Sequence, residues 1–170
     1  MTATSPFPES LLAEAAQVLE DCRARGLKLV TAESCTGGLI AGLLTEIAGS
    51  SDVLDRGYVT YSNAAKTECL GVPAAMIDSH GAVSRQVAAA MAEGALKQSH
   101  ADIAIAVTGI AGPGGGTAQK PVGLVHLAVH RRGHVTRHHE YRFGDIGRTA
   151  VRMATIREAL AVLAPLVAMT

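Results

Sequence analysis

The positions of apolar residues divide the chain into alternating helices and strands. From Glu9, apolar residues recur at helical spacing, which predicts a first helix that stops at Gly26. The same reading treats 49–52 as a turn and 76–83 as irregular. Further helices are predicted at about 37–48, 64–70, 84–98 and 149–168, with Asn63 and Ser84 as N-caps, and strands at 27–33, 56–62, 102–108, 123–130 and 134–143.

Helices alternate with strands early in the chain, whereas the last two strands flank Arg132-Gly133 as an antiparallel hairpin. This order predicts a mixed sheet covered by helices on both faces. The run 102–108 is continuously apolar and is expected to be buried on both sides. With 170 residues, the chain fits one domain over 9–170, preceded by a loose arm over 1–8.

Composition removes several classes of partner. Lys plus Arg and Asp plus Glu number 15 each, and only 3% of residues are aromatic, so neither the charge nor the stacking surface of a nucleic-acid-binding protein is present. The sequence has no run of about 18 apolar residues, which argues against membrane insertion. Three cysteines without paired spacing and no basic leader indicate a reducing, cytoplasmic location.

The most informative stretch is Thr31-Ala-Glu-Ser-Cys-Thr-Gly-Gly-Leu39, which joins a strand to a helix. A helix N-terminus offers unpaired N–H groups that suit an anion or an oxyanion. Ser34, Cys35 and Thr36 are each a possible nucleophile or cap, and capping is the commoner role. Glu33 is a possible base, although a carboxylate favoured by the helix dipole is the simpler interpretation.

No common catalytic signature accompanies Ser34. The sequence lacks GxSxG, Ser-x-x-Lys, GxGxxG, the Walker loop and HExxH. His126 and His130 alternate on one strand and suggest a metal, but solvent-facing strand residues explain them better, and no metal or cofactor is expected. A lysine of lowered pKa is an alternative base. Lys66, in the first turn of a helix after Tyr61, is a candidate, although most lysines are solvated.

Several motifs, in order along the chain, resemble the CinA C-terminal domain family. Besides the stretch around Ser34, they are Ile47-Ala-Gly-Ser-Ser51, Gly57-Tyr-Val-Thr-Tyr-Ser-Asn63 with Lys66, Gly71-Val72, His80-Gly-Ala-Val-Ser84, Thr108-Gly-Ile-Ala-Gly-Pro-Gly-Gly-Gly116 and Lys120-Pro-Val-Gly123. The resemblance covers the chain from about residue 9. It implies a three-layer α/β/α sandwich with a mixed, mainly parallel sheet.

The resemblance also implies a nicotinamide-nucleotide amidase, which hydrolyses the carboxamide of nicotinamide mononucleotide (NMN) to nicotinate mononucleotide and ammonia. Ser34 would be the nucleophile, Lys66 the general base and Tyr61 its partner in proton transfer. Substrate contacts are expected from Ser51, Thr108, Gly109, Gly112 and Arg148, with Arg152 as the alternative arginine, and from the backbone N–H groups of Cys35 or Thr36.

Two alternatives stay open at this stage: a non-catalytic nucleotide- or partner-binding module, and an amidase for another carboxamide. A homo-oligomer is also expected, because the hairpin 123–143 could pair edge to edge or pack a helix across a two-fold axis.

Overall fold

The computed structural model describes residues 5–169, which build one five-stranded sheet between two layers of helices. The strands are β1 (Leu29–Glu33), β2 (Leu54–Val59), β3 (Ile103–Gly109), β4 (Leu124–Arg131) and β5 (Arg137–Arg142). The helices are α1 (Glu9–Ala24), α2 (Leu39–Thr45), α3 (Asn63–Leu70), α4 (Ala74–His80), α5 (Arg85–Lys97) and α6 (Arg148–Ala168).

The sheet has the strand order β2-β1-β3-β4-β5. The β1–β2 and β1–β3 pairs are parallel, whereas β3–β4 and β4–β5 are antiparallel. The predicted mixed sheet and late hairpin are therefore confirmed. The carboxyl ends of β1, β2 and β3 meet at one edge, where β4 begins, and ligands of open α/β sheets bind at such an edge.

Two hydrophobic cores lie on the two faces of the sheet. One packs α1, α2 and α6 against Leu29, Ile105 and Leu127, and the other packs α3, α4 and α5 against Ala32 and Ala106. Strand β3 is buried on both faces, as its apolar run predicts. This layering confirms the expected α/β/α sandwich.

Two local predictions are wrong. Residues 76–80 are helical rather than irregular, because α4 begins after Pro73, where the missing N–H costs nothing, and ends at His80, while 81–83 are irregular as predicted. The N-cap of α3 is Ser62 rather than Asn63, since the Ser62 hydroxyl accepts the Ala65 N–H at 3.0 Å. The predicted cap at Ser84 is confirmed by its 3.3 Å bond from the Val87 N–H.

The N-terminal arm is described only in part. Residues 1–4 of the predicted 1–8 segment lie outside the described residues. Phe7 is buried and packs into the core with α1. None of the helices between residues 5 and 169 is long and apolar enough to cross a membrane.

Candidate active site

Ser34 lies immediately after β1, at the carboxyl edge of the sheet. Its N–H donates to the carbonyl of Val107 at 3.0 Å, and its own carbonyl accepts the N–H of Gly37 at 3.0 Å. Gly37 and Gly38 both have positive φ, which lets the chain reverse sharply before α2. The hydroxyl is thus held on a tight turn between β1 and α2, and 9% of the residue is exposed.

Lys66 is the largest buried polar side chain near Ser34, with 1% exposure. Its Nζ lies 3.2 Å from Ser34 Oγ and 2.8 Å from the carbonyl oxygen of Thr60. Burial lowers the pKa of Lys66, because a charged amine is poorly solvated there. The alternative of a solvated helix lysine is therefore wrong, and a neutral amine beside Ser34 can accept its proton.

Glu33 has a structural role in this chain. Its carboxylate accepts bonds from Thr36 Oγ1 at 2.6 Å and from the N–H groups of Gly38, Ile40 and Ala41 at 2.9–3.2 Å. These are the orphan donors of the α2 N-terminus, so Glu33 caps the helix and Thr36 supports the cap. The alternative of Glu33 as a catalytic base is not favoured.

Cys35 is poorly suited to act as a nucleophile. The thiol is 5% exposed, and burial raises its pKa to about 12. It packs close to Gly109, where an added Cβ would lie 3.1 Å from the sulfur. Within residues 5–169, the N–H groups of Cys35 and Thr36 donate to no other residue, so both remain available to an oxyanion beside Ser34.

Tyr61 lies at the mouth of the site with 60% exposure. Its hydroxyl accepts a bond from Arg148 at 2.8 Å, and the same guanidinium donates to the carbonyl of Gly112 at 2.9 Å. Tyr61 has no hydrogen bond to Ser34 or Lys66. Arg148 therefore joins the end of β2 to the glycine-rich loop after β3.

Whereas Arg148 binds Tyr61 and the glycine-rich loop, Arg152 binds the turn that follows Ser34. Its guanidinium donates to the carbonyls of Cys35 at 3.1 Å and Thr36 at 3.0 Å. Arg148 and Arg152, the two arginines that the sequence offered for a substrate contact, therefore make different contacts. Sequence reasoning missed this arrangement because both acceptors are backbone atoms more than 100 residues away.

The remaining predicted substrate residues separate into two groups. Thr108, Gly109 and Gly112 follow or end β3 beside Ser34, and the Thr108 hydroxyl donates to the carbonyl of Ala82 at 2.9 Å. Ser51 is exposed and precedes β2, at the end of the sheet opposite Ser34. The structure does not bring Ser51 to Ser34 within one chain.

His126 differs from its sequence-based interpretation. The residue is 6% exposed rather than solvent-facing, and its Nδ1 lies 2.9 Å from Nε2 of His138. Burial lowers the pKa of both imidazoles. Across 5–169, no group of three or more His, Cys, Asp or Glu residues is arranged to hold a metal ion.

Both the sequence and the fold of the chain are similar to those of known proteins. Residues 12–167 match the family model of the CinA C-terminal domain. A CinA-like protein of Syntrophus aciditrophicus is 54% identical over 140 residues, covering 82% of this chain and 33% of that protein. A putative competence-damage inducible protein of Caldicellulosiruptor bescii is 51% identical over 138 residues, covering 81% and 33%. The chain spans about a third of the length of these curated relatives.

Solved structures give the same result. The competence/damage inducible protein CihA from Agrobacterium tumefaciens superposes with a TM-score of 0.94 at 58% identity, covering 96% of this chain and 99% of that one. The competence damage-inducible protein A from Klebsiella pneumoniae gives 0.87 at 39% identity, with 91% and 95% covered. Sequence motifs, fold and comparisons agree that the chain belongs to the CinA C-terminal domain family.

Proposed function

We propose that this chain is a serine amidohydrolase that converts NMN to nicotinate mononucleotide and ammonia. The observation that carries the proposal is the buried Lys66 amine 3.2 Å from Ser34 Oγ. A serine becomes a competent nucleophile when an adjacent base takes its proton, and a buried lysine of lowered pKa is such a base. The choice of NMN comes from the family resemblance of the motifs.

In the acylation step, Ser34 Oγ forms a bond to the carboxamide carbon while its proton passes to neutral Lys66. The oxyanion that develops is stabilised by the N–H groups of Cys35 and Thr36. Collapse of this intermediate breaks the C–N bond, and Lys66 returns the proton to the nitrogen, which leaves as ammonia. The nicotinate moiety is then held as an ester on Ser34.

In the second step, water replaces ammonia. Lys66, neutral again, takes a proton from the water as its oxygen attacks the ester carbon. The bond to Ser34 Oγ then breaks, and Lys66 gives that proton back to Ser34. The product is nicotinate mononucleotide, and the side chains return to their starting protonation states.

Tyr61 is proposed to assist through Arg148 rather than by direct proton exchange with Lys66. Its hydroxyl oxygen accepts from Arg148 at 2.8 Å, so the phenol proton remains free to reach a bound substrate. The Arg148 bond to the Gly112 carbonyl keeps the glycine-rich loop next to the same mouth. A cytoplasmic location and a homo-oligomeric state are further parts of the proposal, and the first is consistent with three unpaired cysteines.

The test is ammonia release from NMN by purified protein in EDTA, with Ser34→Ala, Lys66→Ala and Cys35→Ala beside it. We expect turnover by the wild type and by Cys35→Ala, and losses of several orders of magnitude in the other two variants. Lys97→Met, at the exposed far end of α5, is the matched control for loss of a lysine.

Three results would contradict the proposal. Unchanged activity in Ser34→Ala would remove the nucleophile assignment and direct attention to Cys35. NMN binding without turnover in the wild type would favour a binding module. Turnover of other carboxamides but not of NMN would support the serine amidase chemistry and show that NMN is not the substrate.

A further inference from the structure

A recess lies at the same end of the sheet as the proposed active site, on the side of β4. It has a volume of about 300 Å³ and lies at the start of β4 and the N-terminus of α5. His126 in its wall pairs with Thr108 in the strand register, and Thr108 follows Val107, which binds the Ser34 N–H. Two strand spacings separate β1 from β4, about 10 Å. A mononucleotide can span this separation.

The recess is basic in a chain that has no net charge overall. Three cations, Arg85, Lys120 and Arg142, line it together with one carboxylate, Glu140. Glu140 is already paired with Arg142 at 2.8 Å. Arg85 and Lys120 therefore carry charge that no side chain in the recess neutralises, which favours an anionic ligand.

Lys120 is held in place by a neighbouring group, and Arg85 lies next to a further source of positive charge. The Lys120 amine donates to the His80 carbonyl at 2.5 Å, which leaves two of its three protons for a ligand. Arg85 has no ion pair among residues 5–169 and begins a 13-residue helix whose N-terminus carries partial positive charge. His126 lines the same recess and is buried against His138.

Two residues expected to contact the substrate are less suitable for its phosphate. Each terminal nitrogen of Arg148 already donates one hydrogen bond, to Gly112 and to Tyr61, which holds the guanidinium against the protein, and Ser51 lies at the opposite end of the sheet. We propose that the recess formed by Arg85, Lys120 and His126 binds the phosphate monoester of the substrate and so selects phosphorylated carboxamides over their nucleosides. This inference rests on the proposed amidase function.

The experiment compares NMN with nicotinamide riboside, which lacks the phosphate. Arg85→Gln and Lys120→Met should each raise the KM for NMN about 10-fold or more, because each removes a charge-assisted bond to phosphate. Turnover of the riboside should change little, so the preference for NMN should fall by the same factor. Lys120→Arg, which keeps the charge, should stay within a few-fold of the wild type.

Lys97→Met on the far end of α5 is the control for a lost surface charge, and thermal unfolding of every variant checks folding. Arg85→Gln breaks no hydrogen bond between described side chains, so it stays informative even if Lys120→Met disturbs the contact with His80. If the wild type is active and neither Arg85→Gln nor Lys120→Met changes the KM for NMN, the proposal that the recess binds the phosphate is wrong. The proposed amidase function is not affected by that outcome.

Calorimetry tests the phosphate recess even if the proposed amidase function fails. If the wild type releases no ammonia, NMN binding to Ser34→Ala is compared with and without Arg85→Gln. Weaker binding with Arg85→Gln supports the recess although the amidase function has failed, and equal binding overturns it. Inorganic phosphate is the second probe: if Arg85→Gln weakens its binding but not that of NMN, the recess serves a separate phosphate ligand and the substrate assignment is wrong.

Discussion

Lys66 Nζ lies 3.2 Å from Oγ of Ser34, although 32 positions separate the two residues. The second partner of the amine is the Thr60 carbonyl, which only accepts. A neutral amine satisfies both neighbours at once, since it donates to Thr60 and accepts from Ser34. A protonated amine at the same place is buried and forms no ion pair with a carboxylate among residues 5–169, which agrees with the lowered pKa of Lys66.

This relationship predicts the pH dependence of the reaction. Because the proposed mechanism uses neutral Lys66 as the base, kcat/KM for NMN should rise with pH along a limb with an apparent pKa below the ordinary 10.5 of lysine. Lys66→Arg keeps a positive charge but cannot give up its proton, so activity should fall about 10²–10⁴-fold at every pH. The measurement is the pH profile of both proteins, with NMN binding to the variant as the folding control. Substantial activity in Lys66→Arg would mean that the residue acts only through its charge.

The lowered pKa of Lys66 also predicts that the free energy of unfolding depends on pH. Between the lowered pKa of folded Lys66 and 10.5, the unfolded chain binds more protons than the folded one, so the free energy of unfolding rises with pH. Lys66→Met lacks this contribution. From pH 7 to 9.5 the wild type should therefore gain stability relative to Lys66→Met, by up to about 1.4 kcal/mol per pH unit.

Urea unfolding at several pH values measures this difference. The same comparison with Lys97→Met subtracts the effect of removing one positive charge from the chain. A difference between wild type and Lys66→Met that stays constant from pH 7 to 9.5 would show that Lys66 has the same protonation in both states there.

The sequence predicted which strand and helix carry Ser34 and Lys66 better than it predicted the burial and the contacts of the side chains. An apolar run located β1 and the predicted cap at Asn63 located α3, so the placement of Ser34 and Lys66 at neighbouring strand ends could be inferred. The burial of Lys66 could not, because α3 itself has a weakly amphipathic pattern and the Lys66 amine contacts Ser34 and Thr60, which lie just after β1 and β2. Family resemblance, rather than the helix pattern, raised Lys66 above an ordinary surface lysine.

Backbone acceptors account for most of what the sequence missed. The partners of Lys66, Arg148, Arg152 and Lys120 include backbone carbonyls, and a carbonyl carries no signal in the residue type. His126 was misread for a different reason. Alternation along β4 suggested a solvated face, but α5 covers that face, so His126 is buried beside His138.

Tyr61 and Arg148 should behave as a coupled pair. Their 2.8 Å bond means that Tyr61→Phe and Arg148→Gln remove the same interaction. We expect each to lower kcat/KM for NMN, and the double variant to cost less than the sum of the two free energies, with a coupling of about 0.5–3 kcal/mol. Steady-state kinetics of the four proteins measure it. Additive losses would mean that Tyr61 and Arg148 act on the substrate independently.

Glu33 should contribute to stability through the α2 cap. Glu33→Gln replaces one accepting oxygen by an NH₂ group that faces the N–H donors of Ile40 or Ala41, and it removes the charge that complements the helix dipole. The expected loss is about 1–3 kcal/mol in the free energy of unfolding, measured in urea. Glu68→Gln, exposed on α3, is the matched control. A change as small as that of Glu68→Gln would mean that the cap contributes little.

Arg152 should influence the rate through the orientation of an oxyanion donor. The Cys35 carbonyl that accepts its bond shares a peptide plane with the Thr36 N–H, so fixing one atom fixes the direction of the other. Arg152→Met keeps the apolar stem and should lower kcat for NMN about 10-fold or more with a smaller effect on KM, because oxyanion donors act mainly in the transition state. Arg157→Met, exposed on the same helix, is the control. A variant that loses stability but keeps kcat would show that Arg152 only supports the fold, whereas a fall in kcat at unchanged KM would place the Thr36 N–H in the reaction.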